Sequence, residues 1–414
     1  MRRSVMVFGM LSACIAVHLG AGCGRARAAC SVDGWCQVNA GTTYDLWAVW
    51  GTGPADVYAV GSGTDSADIM RYAGGSWYQM VRVADADLSA LGGVPGSVVY
   101  AVGYNLDGGQ AKIMRYEGAV WADVPNGVNA HLFAVWCAAP NDVFAAGKNW
   151  LSGEAVLARY DGSSWISQGA GFQGALYGVW GTSASNMYAV GYDSASGHGR
   201  ILRYDGGAWT SVGPATVAEL SAVWGTGPND VFVVGANRAA GSGVIIHYNG
   251  SAWSEMSAAA AELFGVHGTA SNDVYAVGED GTILHYNGAA WSAMDSGSTE
   301  WLLNGVWAAA ADEVHAVGLE GLILYRGGAA PPPPGGSWAK LARTYAGWLG
   351  GKDAALYRVR EETVRRLPAG AALVKSFYAA LPLAAELSER EPVVRAAVGL
   401  VLAPVATLNG DNGR

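Results

Sequence analysis

Arg71, Arg115, Arg159 and Arg203 follow one another at intervals of 44 residues, and His247 and His285 continue the series 44 and 38 residues further on. Evenly spaced cations of this kind can line a site for a carboxylate or an acidic sugar. A residue that returns in most copies of a repeat also serves the copy itself, by carrying its head to solvent or pairing with a neighbour. That structural role is the expectation here. A second series, Asp56, Asp142, Asp230 and Asp273 with Asn186 and Glu313 in the same slot, suggests short side chains that cap turns by accepting backbone N–H bonds. The acidic pairs Asp65 and Asp68, Asp85 and Asp87, and Glu279 and Asp280 offer clustered oxygens of the kind calcium prefers. None has the spacing of a calcium loop, so they read as solvated loop charge. No Ser-His-Asp order, metal-spaced histidine cluster or glycine-rich phosphate loop stands out, and neither a catalytic residue, a metal nor a cofactor is expected.

What positions these residues is a repeat. A strand-closing glycine falls at Gly61, Gly103, Gly147, Gly191, Gly235, Gly278 and Gly318, at intervals of 42, 44, 44, 44, 43 and 40. Within a copy the chain reads LWAVWG (46 to 51), DVYAVG (56 to 61), IMRY (69 to 72) and a segment opened by Trp77. Short runs rich in Val, Tyr and Trp, separated by Gly, Pro, Asn and Asp, suit a meander of four antiparallel strands, the blade of a β-propeller. The Trp that opens the fourth strand occurs at Trp77, Trp121, Trp165, Trp209, Trp253 and Trp291 and is absent after the last copy. Asp33-Gly34-Trp35 reproduces it at the other end, so residues 35 to 39 are expected to supply the outermost strand of the last blade. The fold class is therefore all-β: a seven-bladed β-propeller of four-stranded blades closed by an N-terminal strand, followed by a small α-helical region. Counting across the turn between the second and third strands pairs Tyr58 with Tyr72, Tyr100 with Tyr116, Tyr188 with Tyr204, Phe232 with Tyr248 and Tyr275 with Tyr286, and sets His315 opposite Arg326. Phe144 meets Tyr160 only through a bulge.

Half of the residues are apolar, 14% are charged and 60 are glycine, the balance of a well-filled protein with many tight turns. Residues 30 to 337 carry 27 acidic against 10 basic side chains, whereas residues 338 to 414 carry 7 against 11. An acidic propeller repels phosphate backbones, which excludes nucleic acid as the expected partner. Residues 1 to 28 read as an export signal, with Arg2 and Arg3 before an apolar run and Ala26-Arg27-Ala28 as the cleavage pattern. Cys23 after Leu19-Gly20-Ala21-Gly22 keeps a lipoprotein signal as the competing reading, and Arg2-Arg3 lacks the flanks of a twin-arginine signal. Cys30 and Cys36 can close a short disulfide around Trp35 in an oxidising compartment, or remain two thiols. Cys137 stands where other copies have Gly51, Gly181 and Gly225 and reads as a small packing residue.

The domains follow: residues 1 to 28 a signal peptide, 29 to 328 the propeller, 329 to 337 a Pro/Gly linker, 338 to 408 helical, and 409 to 414 a disordered tail. The helical region is apolar and basic enough to allow contact with a membrane surface, but its most apolar stretch, Val393 to Leu408, is short of a span.

The copies, through their Val-Gly, Ile-Leu-x-Tyr and Asp-Gly-x-x-Trp elements, resemble the repeats of secreted bacterial propellers distantly similar to the Asp-box and photosystem-assembly-factor propellers. Asp205-Gly206-Gly207-Ala208-Trp209 has one residue fewer than an Asp-box between Asp and Trp. The tail resembles the helical C-terminal segment named for a preceding Cys-Phe-Ile box, through Leu356, Arg358, Arg360, Pro368-Ala369-Gly370, Leu373-Val374, Phe377-Tyr378, Leu383-Ala384 and Leu402-Ala403-Pro404. The box itself is degenerate, reading Ala339-Lys340-Leu341. That resemblance implies sorting to, or attachment at, the envelope.

Recognition is expected on the face bearing the longer loops of blades one to five, Ser62 to Asp68, Tyr104 to Lys112, Lys148 to Ala155, Tyr192 to Arg200 and Ala236 to Gly243, because loops vary where a rigid scaffold holds them. Exposed Tyr104, Trp150, Tyr192 and Asn237 are the expected ligand-binding side chains. His267 joins them, since it interrupts a series of inner-strand tryptophans (Trp50, Trp136, Trp180, Trp224, Trp307) that Gly92 also breaks. The functional expectation is an exported, monomeric, non-catalytic propeller that binds a protein or glycan at the bacterial envelope or outside the cell. The alternative is a hydrolase or lyase of extracellular polysaccharide working around His267.

Overall fold

The computed structural model describes residues 30–327 apart from 74, 217 and 257–260. The export signal, linker, helical region and tail expected from the sequence lie outside the described residues. Strand β1 (Trp35–Asn39) comes first. Seven meanders then follow in chain order. They are β2 (Asp45–Gly53), β3 (Asp56–Ser62), β4 (Ser66–Ala73) and β5 (Ser76–Ala84); β6 (Ala86–Val94), β7 (Val98–Asn105), β8 (Ala111–Tyr116) and β9 (Trp121–Asp123); β10 (His131–Ala139), β11 (Asp142–Lys148), β12 (Glu154–Tyr160) and β13 (Trp165–Ser183). Next come β14 (Asn186–Asp193), β15 (His198–Tyr204) and β16 (Trp209–Thr216); β17 (Glu219–Gly227), β18 (Asp230–Asn237), β19 (Ser242–Tyr248) and β20 (Trp253–Met256). The last two are β21 (Leu263–Ala270), β22 (Asp273–Gly278), β23 (Ile283–Tyr286) and β24 (Trp291–Met294), then β25 (Leu303–Ala310), β26 (Glu313–Gly318) and β27 (Leu322–Arg326).

Among the described residues five sheets have four strands each and one has seven. The larger sheet exists because β13 is a single strand of 19 residues: its first half pairs with β12, from Trp165 opposite Tyr160 to Gln173 opposite Glu154, and its second half pairs with β14 from Gly174 onward. The last sheet runs β1-β27-β26-β25, with Trp35 opposite Arg326 and Asn39 opposite Leu322. The first residues of the described chain thus complete the sheet made by its last ones. Trp35, 1% exposed, packs among Tyr275, Leu303, Val314 and Leu324. Burying an aromatic side chain so completely stabilises by roughly 3 kcal/mol.

Apolar and small side chains along the three inner strands give each sheet two apolar faces, and each face packs on the next sheet. Among the described residues the core is accordingly divided into seven clusters, one at each junction between consecutive meanders, including the junction of the last with the first. The innermost strands β2, β6, β10, β13, β17, β21 and β25 touch in an unbroken circle.

The inner tryptophans act as knobs between sheets. A Cβ added to Gly93 would lie 2.9 Å from the Trp50 ring, to Gly225 2.8 Å from Trp180, to Gly268 2.9 Å from Trp224, and to Gly51 2.7 Å from Trp307. Each of these glycines is therefore the hole for the knob of the preceding meander. Where the knob is missing the hole is filled: Cys137 follows Gly92 around the ring, and Ala308 follows His267. Burial pushes the Cys137 thiol well above its ordinary value, as befits a packing residue.

The aromatic pairing expected between second and third strands is wrong by one residue. Tyr58 lies opposite Arg71, Tyr100 opposite Arg115, Phe144 opposite Arg159, Tyr188 opposite Arg203, Phe232 opposite His247 and Tyr275 opposite His285; His315 faces Tyr325 rather than Arg326. Gly61 pairs with Asp68 and Ser62 with Ala67, so the hairpin turn is shorter than its polar composition suggests. A one-residue slip changes which face each side chain occupies. The aromatic pairs are made one strand further out, where Tyr72 faces Trp77, Tyr116 Trp121, Tyr160 Trp165, Tyr204 Trp209, Tyr248 Trp253 and Tyr286 Trp291.

Candidate binding face

The corrected register places the recurrent cations over the second-strand rings. The Arg71 guanidinium carbon lies 5.2 Å from the Tyr58 ring centre and that of Arg159 4.8 Å from Phe144, while His247 stacks on Phe232 at 4.3 Å and His285 on Tyr275 at 4.6 Å. Because Asp56 and Tyr58 are two residues apart on one strand, they share a face, and the cation opposite the ring reaches the carboxylate. Arg71 Nε donates to Asp56 Oδ1 at 2.7 Å, Arg159 Nε to Asp142 Oδ1 at 2.9 Å, and the Nε2 atoms of His247 and His285 lie 2.7 and 2.8 Å from Asp230 Oδ1 and Asp273 Oδ1. Thr52 also donates to Asp56, Thr226 to Asp230 and Thr269 to Asp273. The acidic series therefore anchors the third strand instead of capping backbone N–H groups.

Three copies depart from this scheme, the seventh because Tyr325 stands opposite His315 and donates to Glu313 at 3.2 Å. In the second, Val98 replaces the acid and Arg115 turns to Glu117 at 2.7 Å and Asn141 at 3.1 Å. In the fourth, Asn186 Oδ1 and Arg203 Nε are both buried and, among the described residues, neither has a hydrogen-bond partner.

The opposite rim collects the second-to-third hairpins and the fourth-to-first connections, as shown by Asp85 N–H donating to the Asp65 carbonyl and Leu88 N–H to Ser62 Oγ. Here every innermost strand carries a bulge. Pairing skips one residue after the conserved-position leucine in β2, β6, β10, β13, β17, β21 and β25, and the skipped residues are Trp47, Ser89, Phe133, Tyr177, Ser221, Phe264 and Asn304. Flanking residues in β2 face opposite neighbours, Leu46 the last meander and Ala48 the second. The bulge lifts the residue between them out of both packing faces. The skipped residues reach around the circle: the Phe133 and Tyr177 rings are 5.3 Å apart, and Asn304 Nδ2 donates to the Leu46 carbonyl at 2.9 Å. Arg238 stands beside this mouth, 2.7 Å from Glu219 and 3.6 Å from Glu262.

No family model matches the chain, and no curated protein matches it. Among solved structures it is similar to YCF48 bound to D1 peptide, with 14% identity and a TM-score of 0.55 over 73% of this chain and 99% of that one. YCF48 from Cyanidioschyzon merolae aligns with 13% identity and a TM-score of 0.55 over 71% and 98% of the two chains. Virginiamycin B lyase from Staphylococcus aureus aligns with 10% identity and a TM-score of 0.56 over 70% and 98%. The fold is that of a β-propeller.

The structure sorts the expected ligand-binding residues of this propeller unequally. The loops anticipated on its binding face are largely strand, for β3 and β4 leave only residues 63–65 between them and β14 and β15 only 194–197. Tyr104, Tyr192 and Asn237 consequently lie on strands and are half-buried; Trp150, in the β11–β12 turn, is exposed. Tyr104 packs its ring against His131 at 4.1 Å, tilted by 37°, which brings it into the mouth. His267 lies half-buried among the inner strands, between Trp224 at 5.4 Å and Trp307 at 6.2 Å. Its Nδ1 accepts the Ala308 N–H at 3.1 Å, and burial lowers its pKa to about 4. It is a neutral spacer in a knob position. Cys30 and Cys36 form the disulfide that the sequence left open, beside the closing strand.

Sequence reasoning missed the seven bulged residues. Their signal was present: they vary among Trp, Ser, Phe, Tyr and Asn between a constant Leu and a small residue, and variation inside a constant frame marks a position excused from packing.

Proposed function

We propose that this chain is an exported, non-catalytic propeller of seven blades that binds a protein or glycan at the bacterial envelope through the mouth formed by the bulged residues. Counting β13 as the shared strand of two blades, and β1 as the closing strand of the last, accounts for the seven core clusters and the circle of inner strands. The observation that carries the binding reading is the bulge itself: in all seven inner strands the frame repeats while one re-aimed side chain differs. The solved neighbour bound to D1 peptide supports a polypeptide as one class of partner. Export rests on the sequence of residues 1 to 28.

The hydrolase or lyase alternative finds little support in proton bookkeeping at the mouth. Ser89 Oγ lies 2.7 Å from His131 Nε2 and 3.2 Å from Asp87 Oδ1. With the hydroxyl proton on Asp87, which as a carboxylate only accepts, Nε2 is the donor and the imidazole does not act on this serine as a base. The test is a combined peptide and glycan array probed with the full mature chain and with Tyr177→Ser/Phe264→Ser. A ligand lost by the double variant at unchanged melting temperature supports the mouth, and one bound equally by both proteins refutes it.

A further inference from the structure

The mouth has two unlike sectors. Across the second to fourth meanders a track of rings runs from rim to centre: Trp150 lies 6.4 Å from His131, His131 sits 4.1 Å from Tyr104 and 4.2 Å from Phe133, and Phe133 is 5.3 Å from Tyr177. Its outer end is open to solvent, with Trp150 43% and Leu151 95% exposed. Exposed aromatic and aliphatic side chains at the end of such a track are characteristic anchors for a partner. From the sixth meander round to the first, the same face carries carboxylates. The tight turns there place Asp280 and Glu320 at φ of +53° and +56°. Glu320 N–H donates to Asp45 Oδ1 at 2.9 Å, and Glu300 stands nearby in sequence before β25. Among the described residues Asp45, Glu279, Asp280, Glu300 and Glu320 have no ion-pair partner. Residues 30 to 337 hold 27 acidic against 10 basic side chains, and Arg238, the cation that acts on Glu279, is already shared with Glu219 and Glu262.

From this juxtaposition, and resting on the binding role proposed above, we propose that the occupant is an extended basic polypeptide segment. Its apolar side chains lie on the Trp150 to Tyr177 track, and its lysines or arginines lie on the Glu279, Asp280 and Glu320 sector. Complementary charge steers the encounter and fixes the direction in which the segment lies, while the aromatic end contributes most of the affinity. A neutral glycan would use the rings and leave the carboxylates idle.

The test is fluorescence anisotropy on the full mature chain with two labelled 12-residue probes, one built from Lys, Leu and Trp and one with Glu in place of each Lys. The Lys probe is expected to bind, more weakly as salt rises, and the Glu probe to fail. Trp150→Ala should weaken the Lys probe by about tenfold or more. Glu279→Gln/Asp280→Asn should weaken it about threefold and flatten the salt dependence. Asp161→Asn, on the opposite rim, should change neither. Equal binding of both probes, or indifference to both sets of variants, overturns the proposal. Binding of array glycans but not of the Lys probe overturns it too and leaves the binding role standing; failure of every probe removes both. Binding that appears only after cleavage between Pro331 and Pro334 gives the face to the chain's own residues 338 to 414, and concentration-dependent dimerisation lost in Trp150→Ala gives it to a second copy; either overturns a basic partner.

Discussion

His315 should make the closure of this ring acid-labile, and replacing it with phenylalanine should remove that weakness. The residue occupies the second-strand position held by Phe144 and Phe232 elsewhere. It is 1% exposed and enclosed by Tyr72, Trp77, Trp307 and Tyr325 at ring distances of 5.4, 5.7, 6.4 and 4.9 Å. Neither ring nitrogen has a hydrogen-bond partner among the described residues. The titratable groups facing it among the described residues are the two tyrosines, one of which donates to Glu313 at 3.2 Å, and burial alone shifts the imidazole. Burial lowers its pKa from 6.5 to about 3. The unfolded chain therefore binds the proton more readily than the folded one. Stability from the neutral ring is complete above pH 6.5 and drains as pH falls toward 3. At roughly 1.4 kcal/mol per unit, about 3 kcal/mol is gone by pH 4.5, and about 5 kcal/mol at the limit. Urea unfolding followed by tryptophan fluorescence at pH 7.5, 6 and 4.5, for the native chain and His315→Phe, isolates the effect because carboxylate titration is common to both. The variant should match or exceed the native protein at pH 7.5, since it removes two unsatisfied polar atoms. Its advantage should widen by about 3 kcal/mol at pH 4.5. An advantage that stays constant across the three pH values would refute the reasoning.

Three further outcomes follow from the same geometry. Asn186→Asp supplies the missing carboxylate for Arg203 and should stabilise by about 0.5–1 kcal/mol in urea unfolding at pH 7, with no gain at pH 3 where the acid is protonated. Cys30→Ser/Cys36→Ser opens a loop with a sequence separation of 6 and should lower stability by about 2 kcal/mol, with amide exchange rising first along β27; protection unchanged in β27 would contradict the role given to β1. Trp224→Ala empties the hole over Gly268 and should cost about 3–5 kcal/mol by the same assay, whereas a loss under 1 kcal/mol would show that the knob is dispensable.

The repeat was legible because its strands alternate regularly and its punctuating glycines cannot be replaced: a Cβ on Gly61 would lie 2.1 Å from the Asp45 carbonyl oxygen. The borrowed outer strand was legible from Trp35 for a similar reason, since a missing aromatic leaves a visible gap in a periodic series. The register between second and third strands was not. Whether Gly61 faces Ile69 or Asp68 depends on how far the hairpin zips, and the polar residues Ser62 to Asp68 say turn while the structure extends strand through most of them. The repeated pairing of Asp56, Tyr58 and Arg71 would have decided it, because only the observed register brings all three to one face. The bulges were hidden more deeply. They shift pairing by one residue without changing the apolar pattern on either side, so their mark shows only when the copies are aligned and the residue after the constant Leu is seen to vary. Asn237 and Tyr192 were misjudged as loop residues for the same reason as the register, whereas the expected exposed loop position of Trp150 is found because Asn149 and Gly153 do make a turn, closed by the Gly153 N–H to the Asn149 carbonyl at 2.8 Å.

The strand that finishes the ring is also the first of the described segments to leave the ribosome. Until Arg326 has been synthesised, Trp35 has nowhere to go and the growing solenoid presents an unfinished border at each extremity. A short covalent staple at Cys30 and Cys36 needs no partner from the distant end, so once the chain meets an oxidising compartment the latch can be shaped before the ring it fastens has closed.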